Sequence, residues 1–145
     1  MSVGWYRELE VFAECMPPEQ IDWSALTHVT YSKLCPYKNG QYNCTGVLNA
    51  SLLERVQTAA HSHGVKVLLM VSWDATEPVK PWDSEALSQQ FVDSVATAVQ
   101  ELGFDGVEYD VEDFPSKNLT LREHYTRSVA CSVQGTFISH IESLR

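Results

Sequence analysis

Apolar positions along the chain follow two periods. Short runs rich in β-branched and aromatic residues, Ser2 to Tyr6, about Thr27 to Leu34, Val65 to Trp73 and Phe104 to Glu112, alternate with segments whose apolar residues recur at steps of three and four. Leu52, Val56, Ala59 and Ala60 fall on one helical face before Gly64, and Ser51 with Glu54 three residues on predicts a capping box at that helix's start. Ser84 is placed to cap a second helix, in which Leu87, Phe91, Val95, Ala98 and Leu102 form a stripe closed by Gly103. The run VKVLLMVSW is almost continuously apolar, as expected of a parallel strand with helices on one side and a packed interior on the other. Strands alternating with helices give an α/β class built of βα units around a parallel sheet.

The remaining segments are less regular. Pro17 and Pro18 exclude interior helix and central strand from the passage after the first run. Asn39-Gly40, a strong turn signal, lies between Cys35 and Cys44. Four cysteines allow three pairings, of which Cys35 with Cys44, pinning this small loop, is preferred. Thr120 and Glu123 form a further capping box for a helix to about Val133, and Thr136 to Ile141 begins another strand, unless the tail is one long helix with Gly135 inside it.

Charge and composition narrow the partners. The 10 Lys and Arg against 19 Asp and Glu leave a formal charge of −9, which repels duplex nucleic acid and anionic membrane surfaces. No stretch approaches the roughly 18 apolar residues of a membrane span, and MSVGWYRELEVF lacks the form of a signal peptide. Sequons at Asn43, Asn49 and Asn118, with an even cysteine count, nevertheless tilt the compartment towards secretion. The expectation is a leader already removed or a misplaced start codon. The cysteines lack zinc-like spacing, and His61 and His63 diverge on their helix, so no metal site is predicted.

Chemistry concentrates in one strand. Five of the 19 acidic residues lie between Asp105 and Asp113. Alternation puts Glu108, Asp110 and Glu112 on one face, with neighbours about 6.5 to 7 Å apart, and Val107, Tyr109 and Val111 on the other, helix-facing side. Three carboxylates in one confined space cannot all ionise cheaply, so one is expected to hold a proton near neutrality, as a general acid must. A solvated edge strand and a calcium site are the plain alternatives. The apolar opposite face argues against the first, and the absence of a ligand loop with a sharp glycine turn against the second.

Asp105-Gly106-Val107-Glu108-Tyr109-Asp110-Val111-Glu112 resembles the DGxDxDxE signature of chitinase-like glycoside hydrolases, family eighteen. VGWY, LTHVTYSKL and VKVLLMVSW resemble that family's first three strands, so the likeness runs to Phe114-Pro115. It implies a partial TIM (β/α)8 barrel, the first four to five parallel strands with flanking helices. Residues 1–145 then form a single, truncated barrel domain, against roughly 250 residues for a typical whole one.

The resemblance also implies hydrolysis of β-linked N-acetylglucosamine glycosides, retaining and substrate-assisted, with no cofactor. Glu112 would be acid and base, Asp110 would orient the acetamido group, and Glu108 stands where the family has a second Asp. Asp105 and Gly106 would hold the turn before the strand. Ser72 alone carries over from the family's SxGG, because Trp73-Asp74-Ala75 follows it. Acidic motifs that differ at the second Asp, and AHSHGVKVLL, resemble chitobiase-like and endo-N-acetylglucosaminidase-like relatives, so chitin oligomers and N-glycan cores both stand as substrates in a secreted or lysosomal setting. Tyr6 and Trp73, with Trp5 and Trp82, are candidates to stack on sugar rings. Two other readings remain: a lectin that keeps the cleft without turnover, and an inactive fragment whose open sheet edges favour self-association.

Overall fold

The computed structural model describes residues 1–8, 15–72, 77–110, 123 and 136–140. Strands β1 (Val3–Arg7), β2 (His28–Ser32), β5 (Lys66–Val71), β6 (Gly106–Asp110) and β7 (Thr136–His140) form one sheet in the order β1-β2-β5-β6-β7, parallel at every pairing. A small antiparallel hairpin, β3 (Tyr37–Lys38) and β4 (Gln41–Tyr42), stands apart from it. Helix α1 (Ala50–Ser62) joins β4 to β5, and α2 (Glu85–Leu102) joins β5 to β6. Each sheet strand lies beside its successor in sequence, as in a (β/α)8 barrel and unlike a doubly wound sheet, whose order reverses. The fold is therefore α/β, with the architecture of a partial TIM barrel.

Turn and cap chemistry set the element ends. Ser84 Oγ accepts the Leu87 N–H, and Gly103 closes α2 in the left-handed region at φ 70°. The start of α1 differs from expectation: Asn49, not Ser51, is the cap, its Oδ1 accepting the Leu52 N–H 3.1 Å away. Asparagine caps as well as serine, and here the Asn49 N–H is also fixed, 3.0 Å from Glu8 Oε2, so the helix begins two residues earlier. Asn39 and Gly40 both take positive φ, 52° and 85°, the geometry of the two-residue hairpin turn that their pairing predicts. Cys35 and Cys44 form a disulfide across this hairpin, and Cys15 is exposed and free. The tail resolves in favour of the strand, since β7 extends the sheet beyond β6. Of the expected helix from Thr120 to Val133 only Glu123 is described, and the sequon at Asn118 and Cys131 lie outside the described residues.

The sheet separates two environments. Val29 and Tyr31 of β2, Val67, Leu69 and Val71 of β5, and Val107 and Tyr109 of β6 form one face, packed against Leu52, Leu53, Val56 and Ala60 of α1 and Phe91, Val95 and Val99 of α2. At about 25 cal/mol per Å2 of apolar area removed from water, this face is the main source of stability. The residues between them, Thr30, Leu68, Met70 and Glu108, belong to the opposite face, the interior of the partial barrel, and are buried as well. Because α1 and α2 hold one face, chemistry is confined to the other and to the strand ends.

Candidate active site

Strand β6 carries the expected parity. Val107 and Tyr109 pack into the helix-side core, and Glu108 faces the interior, 3% exposed. Asp110, two residues on, is half-buried at the strand's end. β6 runs between β5 and β7, so it is a central strand, and the edge-strand alternative for its acidic residues fails. The register places Glu108 level with Met70 of β5 and Ile138 of β7, and Asp110 level with His140. Ser72, half-buried, directly follows β5, so it sits one step beyond the Val71 to Tyr109 pairing and level with Asp110.

Glu108 is chemically unusual in this row. Its Oε2 is buried with no hydrogen-bond partner among the described residues. A buried carboxylate oxygen without a donor is costly, by about 1 to 3 kcal/mol or more, and such atoms concentrate where function requires them. Its neighbours along the row are a thioether and a hydroxyl: Ser32 Oγ donates to Met70 Sδ at 3.1 Å, satisfying itself locally. Ser32 and Met70 were not singled out from the sequence. The signal that could have found them is the strand register, which sequence alone does not supply. Glu112 and Trp73 lie outside the described residues, so the described site consists of Glu108, Asp110, Ser72 and their row.

Asp105 and Gly106 occupy the opposite end of β6. Asp105 Oδ2 accepts the Val67 N–H at 2.8 Å and lies 2.7 Å from His61 Nε2, while Oδ1 accepts from Lys66 Nζ at 3.0 Å. Partial burial disfavours the charged carboxylate, but the Val67 N–H, His61 and Lys66 outweigh it and hold its pKa below the usual range. Asp105 thus ties the start of β6 to the start of β5 and the end of α1. Gly106, level with Leu68, is buried on the interior face.

Two aromatic expectations require correction. Tyr6 is 2% exposed in the helix-side core, its ring stacked on Tyr31 with centroids 6.1 Å apart, so it presents no face to a sugar. Trp82 is likewise buried. Trp5, one residue from Tyr6, takes the interior-facing side of β1, level with Thr30, and is 51% exposed. In VGWYR both aromatics suit a strand, and only the packing decides which one faces the helices. A second buried carboxylate, Glu8, just beyond β1, accepts from the Tyr31 hydroxyl at 2.7 Å and the Asn49 N–H at 3.0 Å, with Lys33 Nζ 3.5 Å away. Burial and this hydrogen bond raise the Tyr31 pKa. Tyr31 lies in the helix-side core, so Glu8 braces β1, β2 and α1 together and is not part of the interior row.

No family model matches the chain. A curated relative, a chitinase-like effector of Moniliophthora perniciosa, is 31% identical over 96 residues, 64% of this chain and 22% of the relative. A chitinase from Bacteroides thetaiotaomicron superposes with a TM-score of 0.71 at 18% identity, over 96% of this chain and 45% of its own. A family GH18 chitinase from Cycas revoluta, solved with (GlcNAc)3, gives 0.68 at 18% identity, over 91% and 39%. A chitinase from Rhizomucor miehei gives 0.63 at 20%, over 90% and 42%. The chain thus has the fold of part of a GH18 chitinase barrel, and spans about a fifth of the curated relative and less than half of these structures.

Proposed function

We propose that the chain contributes the acidic strand of an N-acetylglucosaminide hydrolase that cleaves chitin oligomers or N-glycan chitobiose cores with retention of configuration and without a cofactor. The observation that supports this most directly is the pairing of Glu108 and Asp110 on the interior face of a central strand, within a fold shared with GH18 chitinases. In the reaction, Glu112 protonates the leaving glycosidic oxygen and then activates water, while Asp110 holds the substrate's acetamido group, whose oxygen is the nucleophile. The buried, unpartnered Oε2 of Glu108, two residues before Asp110 on the same strand, suits a positioning role beside it when the acetamido group binds. Ser72 lies at the same end of the sheet as Asp110, and Trp73 would supply a stacking surface for a sugar ring. The chain follows the secretory route in this reading, with Asn43, Asn49 and Asn118 as glycosylation acceptors.

Replacing Glu112 by Gln keeps the shape and removes the proton. On an N-acetylglucosamine oligomer, the hydrolysis rate falls by about 10²- to 10⁴-fold while binding of the oligomer persists. Hydrolysis that survives Glu112→Gln eliminates the assignment. A second reading is a carbohydrate-binding protein that keeps the cleft without turnover. Oligomer binding by the unsubstituted chain with no hydrolysis would select it.

A further inference from the structure

The polar side of α2 has no part in the candidate active site, and it borders a groove. Gln89, Gln90, Asp93 and Thr97, at helical steps of three and four, face Gln41 and Asn43 of the hairpin across an open groove of about 700 Å3. All six side chains carry hydrogen-bonding groups, amides above all, and the amides of Gln41 and Gln90 have no partner among the described residues. Amides, a hydroxyl and a carboxylate in one concave surface offer mixed donors and acceptors, which suits pyranose hydroxyls and an acetamido group.

Asn43 stands at the rim of this groove on a rigid support. The Cys35–Cys44 disulfide closes the hairpin's base, and the Asn43 N–H donates to Pro36 O at 3.0 Å. The Tyr42 N–H donates to Ser94 Oγ of α2 at 2.9 Å, and the Tyr42 hydroxyl to Met70 O at 2.9 Å. Asn43-Cys44-Thr45 is an acceptor sequon, and Asn43 is exposed. Its Oδ1 accepts the Thr45 N–H at 2.8 Å, which leaves Nδ2, the atom that glycosylation substitutes, without a partner among the described residues. Asn49 differs: its side chain caps α1 and it does not line the groove.

We propose that Asn43 carries an N-linked glycan whose first N-acetylglucosamine residues lie along the groove between the hairpin and α2. The donor is a lipid-linked oligosaccharide pyrophosphate. Asn43 Nδ2 forms a bond to C1 of the proximal sugar and loses one proton, the C1–O bond breaks, and the lipid pyrophosphate leaves with that electron pair. The inference rests on the secretory part of the functional reading and not on hydrolysis, so loss of activity in Glu112→Gln bears on neither the glycan nor the groove.

The test produces the chain in a eukaryotic secretory host and in an oxidising bacterial compartment that adds no glycan. Peptide mass spectrometry reads occupancy at each sequon, and thermal melts compare the two forms. Asn43 is expected to be occupied, Thr45→Ala to abolish that occupancy, and the glycan to raise the midpoint by about 3 °C. In Gln90→Ala/Asp93→Ala, that increment falls to about a third or less while occupancy persists. Measuring Thr45→Ala from both hosts separates the glycan's effect from that of the substitution itself. A secreted chain with Asn43 unoccupied overturns the proposal, and an occupied Asn43 whose glycan leaves the melts of both versions unchanged overturns the placement in the groove.

Discussion

Asp105 and Glu108 show how three residues of spacing change what a carboxylate does. At about 3.3 Å per residue, Asp105 lies roughly 16 Å along β6 from Asp110, and its three partners lie 38 to 44 residues away in sequence. Its folded pKa lies below the unfolded value of about 3.9, so its stabilisation is complete at pH values above that and is lost as pH falls through the folded value. Asp105→Asn keeps an acceptor for the Val67 N–H but discards the charge, and is expected to lower stability by about 1 kcal/mol at pH 7. Urea denaturation at pH 7 and near pH 2.5 checks this: the gap to the unsubstituted chain must shrink at low pH, and a gap that is equal at both values rules out the charge as its origin. Oligosaccharide binding is expected to be unchanged, since the residue stands at the far end of the strand.

Among the elements, the hairpin is held more firmly than its two short strands suggest. Its aromatic residues Tyr37 and Tyr42 pack edge-on against Phe91 of α2, and burial pushes the Tyr37 phenol up to about 12. Gly40 lies so close to α2 that an added Cβ would stand 2.6 Å from Gln90 Oε1 and 2.9 Å from Leu87 Cδ2, at a φ that disfavours side chains in any case. The disulfide spans a sequence separation of 9, for which loop-closure entropy gives about 2.5 to 3 kcal/mol. Replacing both Cys35 and Cys44 by Ala should lower the unfolding free energy read from urea denaturation by that amount, with α1, α2 and the sheet retained in far-ultraviolet circular dichroism. A change below about 0.5 kcal/mol would mean that the packing against Phe91 fixes the hairpin by itself. The sequence made much of this legible, because turn and cap signals are local: Asn39-Gly40, Ser84 and Gly103 act on residues within four positions. The parity of β6 was legible for the same reason, since alternation alone separates Glu108 and Asp110 from Val107 and Tyr109. What needed the structure was long-range. Asn49 rather than Ser51 caps α1 in a setting where Glu8 holds the Asn49 N–H, and Tyr6 rather than Trp5 faces the helices because Tyr31 is there to stack on it.

For the whole molecule, net charge and open edges pull in opposite directions. Among the described residues, β1 and β7 each have one neighbour in the sheet, and Trp5 on β1 leaves half of its surface in water. An unpaired parallel edge beside an exposed indole is a template for a second copy of the same sheet. Against this stands a formal charge of −9, which at neutral pH makes two copies repel over a Debye length of about 8 to 10 Å at 0.1 to 0.15 M salt. The balance should therefore move with conditions that remove the repulsion. Sedimentation velocity is expected to show mostly monomer at pH 7.5 in low salt, association when salt is raised to screen the charge, and stronger association as pH approaches the isoelectric point near 4.9. Trp5→Lys lowers the apolar area and places a charge on the interior-facing side of the edge strand, so it should suppress the salt-induced species by several-fold. If the sedimenting mass is the same under all three conditions, the edges do not pair. If Trp5→Lys associates as strongly as the unsubstituted chain, any association that occurs runs through another surface.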